Sequence, residues 1–225
     1  MGDFIRARSE CQKQQRLDEI KTVAARQFSE RPYHEITLTT IADELGWSRA
    51  SLYKYVSTKE EVFLELTGDA RNAYYDALVT AFPLGCGYSR EVACEVWTGI
   101  VTAHTDWFRY SSMLFTIIET NVTVERLMEF KRAHYDRIGT VQEHLSDCLG
   151  VDAAAVGKIM NTVNFHGVGL VSWCASNPLV AEALDRLGID RALPDFRTDM
   201  REFIGMCVDR YADGAPATVQ SSVTV

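Results

Sequence analysis

Apolar residues recur at spacings of three and four along almost the whole of this chain, and nowhere do they alternate over the length of a strand. That period lays one apolar stripe along a helix, so the chain is expected to be all-α, with about nine helices. Leu17, Ile20, Ala24 and Phe28 share a face of a first helix over 16–30. Pro32 ends it, because the residue before a proline disfavours helical geometry. A second helix runs from Leu38 to Leu45, with Thr37 as its N-cap and Gly46 closing it. Ser48 caps a third, Arg49 to Tyr55. Ser57-Thr58-Lys59-Glu60 has the form of a capping box, which starts a fourth helix at Thr58. Beyond Pro83 the same period predicts helices over 89–103, 105–119, 123–148 and 152–176. A short helical or irregular piece follows from Asn177-Pro178 to Leu187, and a last helix runs from an Asp195 cap to Tyr211. The polar residues 1–15 are expected to be a flexible arm, and 213–225, which lack charge and pattern, a disordered tail.

Composition narrows the function. The chain has 225 residues, 47% of them hydrophobic and 24% charged, close to globular averages of about 45–50% and about 25%. No apolar run approaches the ~18 residues of a membrane span, and the first fifteen residues carry no apolar signal-peptide core. A cytoplasmic protein without membrane contact is expected. Six cysteines without a CxxC pair read as thiols rather than as a disulfide or zinc framework. The histidines at 34, 104, 134, 144 and 166 have no metal-ligand spacing, and no nucleophile elbow appears. Gly167-Val168-Gly169 sits inside a helix, where it permits close helix packing rather than phosphate binding. No metal, no cofactor and no enzymatic activity are expected.

The net charge of −8 disfavours a polyanion partner until it is divided along the chain. Residues 1–60 hold 10 Lys and Arg against 9 Asp and Glu, a net of +1, which leaves −9 for residues 61–225. Phosphate binding depends on local field rather than on the sum. The basic N-terminal quarter also holds the most informative stretch, TLTTIADELGWSRASLYKYVSTK, Thr37 to Lys59. Two short helices joined by the tight turn Gly46-Trp47-Ser48 have helix-turn-helix spacing. Leu38, Ile41, Ala42, Leu45 and Leu52 would hold the pair together. The second of the two would then present Arg49, Ala50, Ser51, Tyr53, Lys54 and Tyr55. Arg49 can bridge guanine O6 and N7, Ala50 can touch a thymine methyl, and Ser51 suits either base. Tyr53 and Tyr55 offer hydroxyls to phosphate, Thr37 and Thr39 reach it beside free backbone N–H groups, and Lys59 stands in the first turn of the next helix.

From about Arg16 to Leu66 the sequence resembles the DNA-binding domain of TetR-type transcriptional regulators. The matching residues are Ile20, Ala24, Phe28, Thr37, Ile41-Ala42, Leu45-Gly46, Ser48, Leu52-Tyr53, Tyr55-Val56 and Lys59-Glu60. Pro32 stands where glycine is usual after the first helix, and Thr39-Thr40 where a basic residue is common. The resemblance implies that Arg49 to Tyr55 form the recognition helix, with Arg49 and Ala50 facing bases and Tyr53, Tyr55 and Lys59 on phosphates. Ser48, Ser51 and Lys54 complete the expected interface with double-stranded DNA. The domains are then an arm at 1–15, a helix-turn-helix domain at 16–60 and an effector-binding and dimerisation domain at 61–212.

A single two-turn reading helix makes too few base contacts for specificity, so a homodimer on a palindromic operator is expected. The resemblance places the partner face on about 152–176 and 195–211. Their apolar residues, among them Val156, Ile159, Met160, Val163, Phe165, Met200, Ile204 and Cys207, serve equally as core. A small, mostly apolar effector is expected among Trp97, His104, Trp107, Phe108, Met113, Phe115, Glu119 and Tyr135, residue types that also build an ordinary core. The competing readings are a constitutive DNA-binding protein, a helical enzyme with a fused helix-turn-helix, and a protein–protein module.

Overall fold

The computed structural model describes residues 2–174, 178–190 and 193–212. The expected tail at 213–225 lies outside them, as does Asn177. Among the described residues there are ten α-helices and no strand: α1 Gly2–Glu30, α2 Leu38–Leu45, α3 Arg49–Leu52, α4 Lys59–Ala81, α5 Arg90–Ala103, α6 Thr105–Met113, α7 Val124–Leu149, α8 Ala153–Cys174, α9 Pro178–Arg186 and α10 Phe196–Ala212.

Three boundaries differ from the sequence expectation. α1 begins at Gly2 rather than Arg16, so the segment 2–15, expected as a flexible arm, is helical. That segment is rich in Arg, Gln, Lys and Glu, good helix formers that leave no apolar stripe to read. α3 is helical only over Arg49–Leu52; the bond from Tyr55 N–H to the Leu52 oxygen, at 2.9 Å, then tightens it into a turn. The helix expected over 105–119 is α6 followed by a π-helical turn, Leu114–Ile118, in which Glu119 N–H reaches back five residues to the Leu114 oxygen at 2.9 Å.

The contacts divide the chain into two compact units, Met1–Arg71 with Met113–Tyr135, and Asn72–Ser112 with Asp136–Val225. In the first unit Ile20, Ala24, Ile36, Ile41, Ala42, Leu52, Val62 and Phe63 are buried. Phe28 and Tyr33 meet Phe63 edge to face, with ring centroids 5.4 and 4.9 Å away. A polar link joins α1 to α2. Buried Gln27 donates from Nε2 to the Thr40 oxygen at 3.0 Å and to Glu44 Oε2 at 2.9 Å, and accepts from Thr40 Oγ1 at 2.8 Å. The Gln27 bond, with Arg26 beside it, holds the Glu44 carboxyl below its ordinary pKa.

In the second unit α10 packs against both α5 and α8. Met200, Ile204, Cys207 and Val208 are buried with Val156, Ile159, Met160 and Val163 of α8 and with Trp97, Ile100 and Val101 of α5. Gly167 lets Phe108 approach the α8 backbone: a Cβ there would lie 2.6 Å from Phe108 Cδ1.

Candidate nucleic-acid interface

The pairing of α2 with α3 is set by local chemistry. Thr37 Oγ1 accepts from Thr40 N–H at 3.1 Å while Thr40 Oγ1 accepts from Thr37 N–H at 3.1 Å, a reciprocal box that satisfies two N-terminal donors of α2. Gly46 ends α2 in the left-handed region at φ 67°, and Trp47 N–H then returns to the Ala42 oxygen at 2.9 Å. Ser48 starts α3, its Oγ accepting from Ser51 N–H at 3.1 Å. Fully buried Leu52 fixes which face of α3 turns inward.

Arg49, Ala50, Tyr53 and Lys54 consequently lie on the outside, with Tyr53 57% exposed. They form one solvent-facing strip along α3 and the turn after it. The other expected residues are placed differently. Ser48 and Ser51 share a hydroxyl–hydroxyl bond of 2.9 Å, and the Thr37 hydroxyl is engaged as a cap. Thr39 is half-buried. So is Tyr55, whose ring lies 5.9 Å from that of Trp47. Tyr55 also lines a polar groove with Lys13, Ser57, Glu61 and Arg126. Arg16 stands over the Trp47 ring, 5.0 Å from its centroid, a contact no spacing in the sequence announces.

The start of α4 follows the candidate strip. The box expected at Ser57 is shifted by one residue: Glu61 N–H donates to Thr58 Oγ1 at 3.2 Å, and buried Glu61 accepts from Ser57 N–H at 2.7 Å. Lys59 directs Nζ to the backbone oxygens of Tyr33 and Ile36, each at 2.9 Å. Tyr33 in turn donates to Glu60 Oε1 at 2.8 Å, and burial followed by that carboxylate pushes the phenol pKa up. Tyr33 is the positioning residue the sequence did not reveal; an aromatic in the turn after α1 is its one signal.

The expected effector residues divide between the two units. Trp97, His104, Trp107 and Phe108 belong to the second, and Met113, Phe115, Glu119 and Tyr135 to the first. In the second, Trp97 Nε1 donates to Tyr74 Oη at 2.8 Å, with both side chains buried. The Tyr74 ring also lies 6.2 Å from that of His104 and 5.8 Å from that of Phe108. Trp107 is buried. In the first, Met113 is buried, Phe115 and Tyr135 are exposed, and Glu119 is ion-paired with Lys131. Among the described residues no cluster of three or more His, Cys, Asp or Glu could hold a metal ion, and no helix is long and apolar enough to cross a membrane.

Residues 20–66 match the family described as bacterial regulatory proteins, tetR family. Residues 69–209, more than half of the chain, match the family described as tetracyclin repressor-like, C-terminal domain. Three solved structures share the fold. A regulatory protein of the tetR family from a Rhodococcus is 14% identical, with a TM-score of 0.56 over 87% of this chain and 96% of that one. A TetR/AcrR-family regulator from Thermobifida fusca is 17% identical, with a TM-score of 0.52 over 88% and 98%. The TetR-family regulator PfmR from Thermus thermophilus is also 17% identical, with a TM-score of 0.54 over 88% and 98%. No curated protein matches the sequence. With both parts of the chain matched in order and the helix-turn-helix built as described, the protein belongs to the TetR family of transcriptional regulators, whose N-terminal helix-turn-helix is a DNA-binding domain.

Proposed function

We propose that the protein is a homodimeric, ligand-responsive repressor that binds a palindromic operator and is released by a small, mostly apolar effector. The observation that carries the reading is the exposed strip Arg49, Ala50, Tyr53 and Lys54, held outward by buried Leu52. A planar guanidinium and a methyl face the bases, and the tyrosine hydroxyl and the lysine face phosphates. Thr37, Ser48 and Ser51 fix the two helices through their caps. Lys59 and Tyr55 support the strip and offer phosphate their remaining polar groups.

Dimerisation through α8 and α10 is supported by what their own core leaves over. Val156, Ile159, Met160 and Val163 are spent inside the subunit, whereas Phe165 and Met206 are both 61% exposed. An effector site among the helices after Pro83 is supported by two buried polar atoms of the second unit. Ser111 Oγ and Asn164 Oδ1 have no hydrogen-bond partner among the described residues. Such atoms are costly unless something else bonds them. A ligand carrying one polar end among apolar atoms meets that need. It releases DNA only if it prefers the conformation that binds DNA less well, and DNA must then weaken the ligand by the same factor.

The test is selection from a random duplex library with the full-length protein, followed by sedimentation of the selected complex. The reading requires a two-fold symmetric site bound by two chains. A non-symmetric site, a single bound chain or no enrichment would overturn it.

A further inference from the structure

The second unit contains a pair of thiols that the proposed regulator does not use. The loop after α4 is docked on the last turns of α7 by successive polar contacts. The Phe82 oxygen meets His144 Nδ1 at 2.8 Å, and Gly85 N–H donates to Asp147 Oδ2 at 2.6 Å. One residue further along each segment stand Cys86 and Cys148, neighbours close enough that the Cys148 thiol, raised first by burial, is raised further by Cys86. Both cysteines are half-buried, within reach of a small solute, whereas Cys94 and Cys207 are buried.

We propose that Cys86 and Cys148 are a redox site, which a peroxide closes to a disulfide. One sulfur, as thiolate, attacks the peroxide and breaks its O–O bond. This gives a sulfenic acid and, from the departing oxygen, an alcohol or water. The second sulfur displaces the sulfenic hydroxyl, the S–S bond forms, and the second thiol's proton leaves with that hydroxyl as water. In total two thiols and one hydroperoxide become one disulfide, one alcohol and one water. The sulfurs lose two electrons and the peroxide oxygens gain them. Loop and helix are already held together beside the pair, at Phe82–His144 and Gly85–Asp147, so closure does not have to bring distant segments together. The bond fastens the loop between α4 and α5 to the end of α7.

The order of attack follows from environment. Burial first, and the neighbouring Cys86 thiol second, push the Cys148 thiol up to about 12. A thiol held protonated is a poor nucleophile, so Cys148 is assigned the resolving role, closing on a sulfenic acid formed at Cys86.

The experiment treats the reduced full-length protein with hydrogen peroxide, blocks remaining thiols with iodoacetamide, and maps peptides by mass spectrometry without reduction. The expected result is a joined pair of peptides carrying Cys86 and Cys148, two hydrogens lighter than the separate thiols. Dithiothreitol should separate them, and neither Cys86→Ser nor Cys148→Ser should yield the joined pair. Recovery of both residues alkylated singly, as sulfinic acids, or joined to other cysteines would overturn the proposal. So would a joined pair that forms only after the protein is unfolded.

Discussion

Lys59 Nζ donates to the backbone oxygen of Tyr33 at 2.9 Å while lying 4.0 Å from the centroid of the same residue's ring. With the second bond to Ile36, the first turn of α4 clamps the segment joining α1 to α2. Burial draws the Lys59 pKa below its ordinary value, as expected of an ammonium whose water is partly replaced by carbonyl oxygens.

Lys59→Met should therefore destabilise the fold by about 1–2 kcal/mol, since charge-assisted bonds are stronger than neutral ones but this one is partly exposed. Urea unfolding measures it. If the ammonium served phosphate alone, the midpoint would not move, and only the salt slope of DNA binding would fall, by about 1.

The glycines at 167 and 169 should respond in opposite directions. Gly167→Ala places a methyl 2.6–2.7 Å from two ring carbons of fully buried Phe108, and such overpacking costs about 1–3 kcal/mol. Gly169 has nothing within 4 Å of the same position. Gly169→Ala should stabilise by about 0.5–1 kcal/mol through the backbone entropy of a helix interior. Equal shifts in the two urea midpoints would contradict the packing described.

Acidification should weaken the fold through His134 and His166. Burial lowers the pKa of each; Arg71 and Lys131 lower that of His134 further, and Asp199 partly offsets the effect at His166. A depressed folded-state pKa contributes stability that is present above the unfolded value, about 6.5, and is lost as pH falls through the folded value. The melting temperature should drop below about pH 6.5, and the double variant His134→Gln, His166→Gln should flatten that drop. An unchanged profile in the double variant would contradict it.

What could be read in the sequence was local. Thr37 and Gly46 bracket α2 where the structure has it, because a cap hydroxyl and a left-handed glycine act within a few residues. The start of α4 was legible to within one residue, since Ser57 and Thr58 compete for one role and the contact to Glu61 decides between them. The π-helical turn at Leu114–Ile118 left no mark, as its residues are ordinary helix residues and only tertiary packing selects the wider turn. The grouping of Met113–Tyr135 with the N-terminal helices was equally silent. A period of 3.6 shows that a face is buried but not which helix covers it. For the same reason Trp97 and Phe108, expected beside an effector, could not be distinguished from side chains that pack on Tyr74.

The account stands on the outward face of α3, and one titration tests it most directly. The Arg49→Ala protein is titrated by fluorescence anisotropy against the selected operator and a panel of its single-base-pair variants. The account predicts a loss of about 1–3 kcal/mol per half-site, confined to one symmetry-related base pair. The same loss on every duplex, or none, would contradict a base-reading role for Arg49.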